Sequence, residues 1–168
     1  MTDPTVSAVP VTRSAVVITC STRAADGVYP DRSGPIIVDV LRGWGFTVDE
    51  AVVVADGPDV EAALRAAIST GVVLVLTTGG TGLTPTDGTP EATRRVVDRM
   101  VPGIAEAIRT AGVQAGIPTA MLSRGVSGLA GRTLVVNLPG SIGGVTDGLA
   151  VLEPVVVHAL SQIQGGDH

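Results

Sequence analysis

The stretch Val72 to Asp87, reading VVLVLTTGGTGLTPTD, constrains this chain more than any other. Its five consecutive apolar residues, Val72 to Leu76, are too few for a buried helix and rich in β-branched types, which predicts a central strand covered on both faces. The strand runs directly into Thr77-Thr78-Gly79-Gly80-Thr81-Gly82. Three glycines there permit positive φ and let the backbone approach a ligand closely. A glycine pair also makes ordinary tight turns. Its position argues for a site instead: in open α/β sheets ligands bind beyond the carboxyl ends of strands, where backbone N–H groups suit a phosphate or carboxylate. Asp87 follows five residues later, just before a helix start at Thr89-Pro90-Glu91.

The common nucleotide motifs fail on inspection. A Walker A loop needs a lysine, and all 11 basic residues of this chain are arginines. The dinucleotide fingerprint needs a third glycine where Pro85 stands. A hydrophobic fraction of 45% with only 2% aromatics predicts a core of Val, Ile, Leu and Ala, which suits a parallel sheet between helices. At 168 residues the expectation is one domain over 14–163, with a loose tail at 1–13 and a frayed end at 164–168. The net charge of −5 argues against non-specific binding to nucleic acid or an anionic membrane, so an anionic ligand must be held locally. Cys20 is the only cysteine and His158 and His168 the only histidines, which excludes a disulfide framework and a Cys/His zinc site. No uninterrupted apolar run approaches a membrane span and the N-terminus has no signal-peptide pattern, so the expected location is the cytoplasm.

Taken in order, SAVVIT (Ser14 to Thr19) predicts a first buried strand that ends at Cys20-Ser21. Asp31 and Ser33 precede a helix carrying Ile36, Ile37, Val40 and Leu41, and capping accounts for both as well as ligand contact does. Phe46 to Val54 reads as one strand. Asp56 then stands either as the N-cap of the helix Val60 to Ile68 or as a functional carboxylate on the glycine-loop edge, and spacing leaves both open. The helix after Asp87 is expected to include Arg94, Arg95, Asp98, Arg99 and Met100, with a further helix over Ile104 to Ala111. Pro118 to Ser123 reads as a short strand, followed by Arg124 in a glycine-rich turn. GVSG at Gly125 to Gly128 misses the nucleophile-elbow pattern, which needs a glycine at Leu129. Arg132 to Asn137 predicts another strand entering a second glycine loop, Leu138-Pro139-Gly140-Ser141, and Gly143 to Leu160 a long final helix. Two such loops side by side make a pocket.

Together, TTGGTG at Thr77 to Gly82, DGTPEAT at Asp87 to Thr93, Ser123-Arg124 and NLPGS at Asn137 to Ser141 resemble the molybdenum cofactor biosynthesis family. The resemblance is to its single-domain molybdopterin adenylyltransferase members of the MogA/MoaB type, and the chain is similar also to the G domain of gephyrin. The resemblance covers nearly everything from Ser14 to Leu160. It implies a three-layer α/β/α sandwich with a mostly parallel central sheet, usually a homotrimer. It also implies binding of molybdopterin, Mg²⁺-dependent transfer of AMP from ATP to its terminal phosphate, and hand-over to a molybdenum insertase. The family's catalytic and metal-binding carboxylates match Asp56 and Asp87, although Ala55 stands where the family shows proline. Its pterin and phosphate contacts match Ser21, Asp31, Ser33, Thr78, Gly79, Gly80, Thr81, Gly82, Ser123, Arg124, Asn137, Pro139, Gly140 and Ser141. Adenylyl transfer rests on positioning and electrostatic stabilisation and needs no protein nucleophile. The alternative within the family is a non-catalytic molybdopterin-binding or carrier protein.

Overall fold

The computed structural model describes residues 13–166, so the loose tail expected at 1–13 lies almost wholly outside the described residues. In chain order the elements are β1 (Ser14–Cys20), α1 (Thr22–Ala25), α2 (Ser33–Gly43), β2 (Thr47–Val48), β3 (Val52–Val54), α3 (Pro58–Ser69), β4 (Leu74–Thr78), α4 (Thr89–Val96), β5 (Arg99–Met100), α5 (Pro102–Gln114), a 3-10 turn (Pro118–Leu122), β6 (Ser127–Ala130), β7 (Thr133–Leu138) and α6 (Ile142–Ile163). The strands form one sheet in the order β2-β1-β4-β7-β6-β5, with β3 beside β1. β1, β2, β3, β4 and β7 run parallel, and β6 and β5 close the far edge antiparallel.

The continuous apolar runs in β1, β4 and β7 are what a strand covered on both faces requires. Leu74, Leu76, Leu134, Val136 and Leu138 pack on one face with Ile37, Leu41, Ile108, Val145 and Leu152 from α2, α5 and α6. Val75 and Val135 pack on the other with Val60, Leu64 and Ala92 from α3 and α4. This is the expected three-layer α/β/α sandwich. Leu76 is fully buried at its centre, and truncating such a side chain to alanine costs about 2–5 kcal/mol. α6 is, by length and composition, apolar enough to cross a membrane, but here Val145, Leu149, Leu152, Val156 and Leu160 bury its inner face in the sandwich.

Four local expectations are corrected. The strand read over Phe46 to Val54 is two short ones, β2 and β3, both paired with β1 and separated at Asp49 to Ala51. The helix after Asp87 ends at Val96: Val97 turns extended (φ −89°, ψ 143°), and the Asp98 N–H donates to Leu129 O at 2.6 Å, which delivers Arg99 and Met100 to the sheet edge. Pro118 to Ser123 is not a strand but a 3-10 turn, with Ala120 N–H on Ile117 O and Ser123 N–H on Ala120 O. The glycine-rich run after Arg124 is no loop throughout, because Ser127 to Ala130 form β6 between β5 and β7.

Candidate active site

Because β1, β3, β4 and β7 are parallel, their carboxyl ends reach one edge of the sheet, with Cys20 level with Val54, Thr19 with Thr78, and Thr78 with Leu138. The loops leaving those ends line a cleft of about 850 Å³. Of the residues singled out from the sequence, Ser21, Asp31, Ser33, Asp56, Thr78, Gly79, Gly80, Asp87, Gly140 and Ser141 line it.

The glycine loop is shaped by what surrounds it. Gly79 and Gly80 adopt φ of +91° and +65°, which side-chain-bearing residues rarely take. A Cβ on Gly79 would lie 2.4 Å from Cys20 O, and one on Gly80 2.3 Å from Thr89 Oγ1 and 3.0 Å from Asp56 Oδ1. The N–H groups of Gly80, Thr81 and Gly82 donate to no backbone acceptor among the described residues. Unpaired donors at a strand end suit an oxyanion. The second loop lies directly against the first: Thr78 Oγ1 donates to Pro139 O at 2.8 Å and Gly79 N–H to Leu138 O at 3.3 Å. Ser141 then caps α6, its Oγ accepting from Gly144 N–H at 3.1 Å.

The carboxylates are held by local geometry. Asp56 is not the cap of α3, whose N-cap is Gly57 and which has no side-chain cap. Its Oδ2 instead accepts from the N–H and the hydroxyl of Thr22 at 3.0 and 2.9 Å, and the Asp56 N–H returns a bond to Thr22 Oγ1. Oδ1 is left facing the glycine loop. Asp87 sits in a turn of its own, with Oδ2 accepting from Thr84 N–H at 3.0 Å and Asp87 N–H bonded to Thr84 O. Asp31 braces the start of α2: Oδ2 accepts from Thr19 Oγ1 at 2.7 Å and Oδ1 from Gly34 N–H at 3.1 Å. Among the described residues no group of three or more His, Cys, Asp or Glu gathers to hold a metal.

The remaining predicted residues stand behind the cleft. Asn137, only 2% exposed, donates through Nδ2 to Thr77 Oγ1 and Thr93 Oγ1 and accepts Val126 N–H at Oδ1, joining β4, β7 and α4 to the chain entering β6. Thr81 and Ser123 touch through their hydroxyls at 3.4 Å. Gly82 and Pro139 present carbonyls to Arg124 and Thr78 respectively. Arg124 holds Glu91 in an ion pair. Burial is the largest single influence on Glu91 and works against its charge, but the Arg124 hydrogen bond, the backbone N–H of Glu91 itself and the charges of Arg124 and Arg94 together outweigh it and hold the carboxyl below its ordinary value.

Thr22 and Arg23, which the sequence places just beyond the first strand without a role, and Tyr29, which it passes over, also line the cleft. Tyr29, the chain's one tyrosine, bonds Ser21 Oγ at 3.1 Å and lies 5.1 Å below the Arg23 guanidinium. Its singularity in so aromatic-poor a chain was the available signal. Cys20 also lines the cleft, with burial pushing its thiol up to about 12, so near neutral pH it is a protonated wall and no nucleophile.

The sequence profile of the family described as "Probable molybdopterin binding domain" matches residues 16–158. A molybdenum cofactor biosynthesis bifunctional protein from Synechococcus elongatus is 44% identical over 155 residues, covering 92% of this chain and 48% of that protein. The chain thus spans about half the length of the first curated relatives it matches. A molybdopterin adenylyltransferase from Helicobacter pylori is 35% identical over 153 residues, 89% of this chain and 86% of that one. Among solved structures, the molybdopterin biosynthesis Mog protein from Mycobacterium ulcerans aligns with a TM-score of 0.86 at 57% identity, over 90% of this chain and 99% of its own. With its glycine loops and carboxylates on one cleft, and a match running from β1 into α6, this chain belongs to the molybdopterin-binding domain family of molybdenum cofactor biosynthesis.

Proposed function

We propose that the protein transfers AMP from ATP to the terminal phosphate of molybdopterin, giving adenylyl-molybdopterin and pyrophosphate. The observation that carries this is the meeting of two oxygen-rich aspartates and two glycine loops on one cleft. In the reaction a terminal phosphate oxygen of molybdopterin forms a bond to the α-phosphorus of ATP. The bond from that phosphorus to the bridging oxygen breaks, and pyrophosphate leaves with the electron pair. Both reactants are anions, in a chain without lysine. The Gly80 N–H, on the cleft and without a backbone acceptor, fits a phosphate, and Asp56 and Asp87 fit a hard divalent cation that brings phosphate oxygens as its other ligands. Mg²⁺, when bound, offsets the negative charge of the reacting phosphates. Asp56 and Asp87 would hold it, with Thr22 orienting the Asp56 carboxylate through its second oxygen.

The protein is further proposed to work as a cytoplasmic homotrimer that passes its product to a molybdenum insertase. The bifunctional relatives of twice this length support such a hand-over, since a second activity there shares one chain. The test is pyrophosphate release with molybdopterin, ATP and Mg²⁺ all present, and none when any one is omitted. Tight molybdopterin binding without ATP consumption would replace this reading with a carrier.

A further inference from the structure

Residues 83–87, which bring Asp87 to the cleft, have few ties to the rest of the fold. Their own hydrogen bonds are internal: Thr84 N–H to Asp87 Oδ2, Asp87 N–H to Thr84 O, and the Thr84 and Thr86 hydroxyls to each other. Leu83 is 64% exposed and supplies no anchor. Among the described residues, the one hydrogen bond from 83–87 to another part of the chain ends on Arg124. The Arg124 guanidinium donates through Nη2 to Asp87 O at 2.7 Å, through Nε to Gly82 O at 2.8 Å, and through Nη1 to the Glu91 carboxylate. Its backbone N–H donates to Thr81 O at 2.8 Å. Four bonds from one residue therefore span the chain from Thr81 to Glu91, across both ends of the segment.

Arg124 is itself held from behind. Arg109 Nη1 donates to Ser123 O and Gly125 O, at 3.2 and 2.8 Å, on either side of it. Arg124 does not line the cleft; it lines a separate space of about 370 Å³ on the side of α4 and α5, together with Arg94 and Arg109. Resemblance to the family implies a substrate-phosphate contact for Arg124, and this geometry offers another role.

We propose that Arg124 is a positioning residue: with Glu91 as its anchor, it latches the 82–88 segment and so sets where the Asp87 carboxylate stands. The proposal rests on the adenylyltransferase reading for its effect on rate, but not for the latch itself. A planar fork is needed, because three acceptors are served at once by Nε, Nη1 and Nη2, which a lysine ammonium cannot reproduce.

The experiment compares Arg124→Gln, Arg124→Lys and Glu91→Gln with the unaltered protein in three measurements: amide hydrogen exchange over 82–88, equilibrium binding of molybdopterin, and kcat for pyrophosphate release. The latch predicts that Arg124→Gln raises exchange over 82–88 about tenfold or more while β4 stays protected. It predicts a kcat loss of about a hundredfold from displacement of Asp87, with molybdopterin affinity within about threefold. Arg124→Lys should not rescue, and Glu91→Gln should shift exchange and kcat the same way by less. A phosphate contact predicts the opposite pattern: affinity falls with exchange unchanged, lysine restores part of it, and Glu91→Gln leaves binding intact or tightens it. That pattern, or unchanged exchange in Arg124→Gln, overturns the latch. Should Arg124→Gln not fold, Glu91→Gln decides, since its side chain is partly exposed and exchange over 82–88 rises if Arg124 is a latch but stays unchanged if Arg124 contacts phosphate. If the unaltered protein releases no pyrophosphate, the adenylyltransferase reading fails, while the exchange measurement still decides the latch.

Discussion

The two glycine loops of the cleft reach the same edge of the sheet by different means. The loop after β7 is three residues long, Pro139 to Ser141, and passes at once into α6 with Ser141 as its cap. The loop after β4 runs from Gly79 to Gly88 before α4 begins. A short connection between two regular elements is placed by those elements. A long one needs ties from elsewhere, and here they come from Arg124, Thr89 and the Asp87 turn. The shorter loop is thus a fixed wall, and the longer one carries the adjustable carboxylate.

The largest effect that this contrast predicts is at Asp87. Asp87→Asn should lower Mg²⁺-dependent pyrophosphate release by about 10²–10³-fold, with molybdopterin affinity close to that of the unaltered protein. Loss of affinity as large as the loss of rate would mean that the Asp87 carboxylate also holds molybdopterin. Gly80→Val attacks the wall of the longer loop. Positive φ and the Thr89 and Asp56 oxygens leave no room for its side chain, so it should cost about 1–3 kcal/mol in denaturant unfolding and weaken molybdopterin binding before it affects the metal dependence of any residual transfer.

Ser141→Ala sharpens the contrast from the other side. Losing the cap of α6 should cost about 1 kcal/mol and lower the melting temperature by about 2–4 °C, with little change in hydrogen exchange over 82–88. The smallest effect concerns pH. Glu91 is held below its ordinary value in the folded state by Arg124. Its contribution is therefore complete above that ordinary value and fades as pH falls through the lowered one. Since the pair is partly exposed, its worth is about 0.2–1 kcal/mol. Glu91→Gln should accordingly lower stability by about that amount at and above neutrality and flatten the acid limb of the stability curve, the two proteins converging as pH falls through the lowered value.

Much of this arrangement is legible in the chain. The runs at Val72 to Leu76 and Arg132 to Asn137 place two central strands within about two residues of β4 and β7. Glycines directly after them mark the two loops. Gly-Thr-Pro-Glu at Gly88 to Glu91 marks the start of α4, where a proline in the first turn has no N–H to waste. Other parts are not legible because the deciding partner is remote. Arg99-Met100 and Ser127 to Ala130 lack strand periodicity and become strands only by pairing with each other and with β7. Thr22 meets Asp56 across 34 residues of chain, and nothing near either one announces the bond.

What the sequence by itself determined is therefore the part governed by local and periodic physics. Continuous apolar runs demand a doubly covered parallel sheet, and parallel strands bring their carboxyl ends, with glycines, serines and aspartates, to one edge. What only the tertiary structure decided is which face each polar side chain presents. Asp56 could cap a helix or open onto the cleft, and Thr22 turned it to the cleft. Arg124 and Asn137 sit in motifs that suggest ligand contact, yet their hydrogen bonds run to Gly82, Asp87 and Glu91, and to Thr77, Thr93 and Val126. Buried donors and acceptors must find partners, and those partners come from strands and loops that only folding brings together.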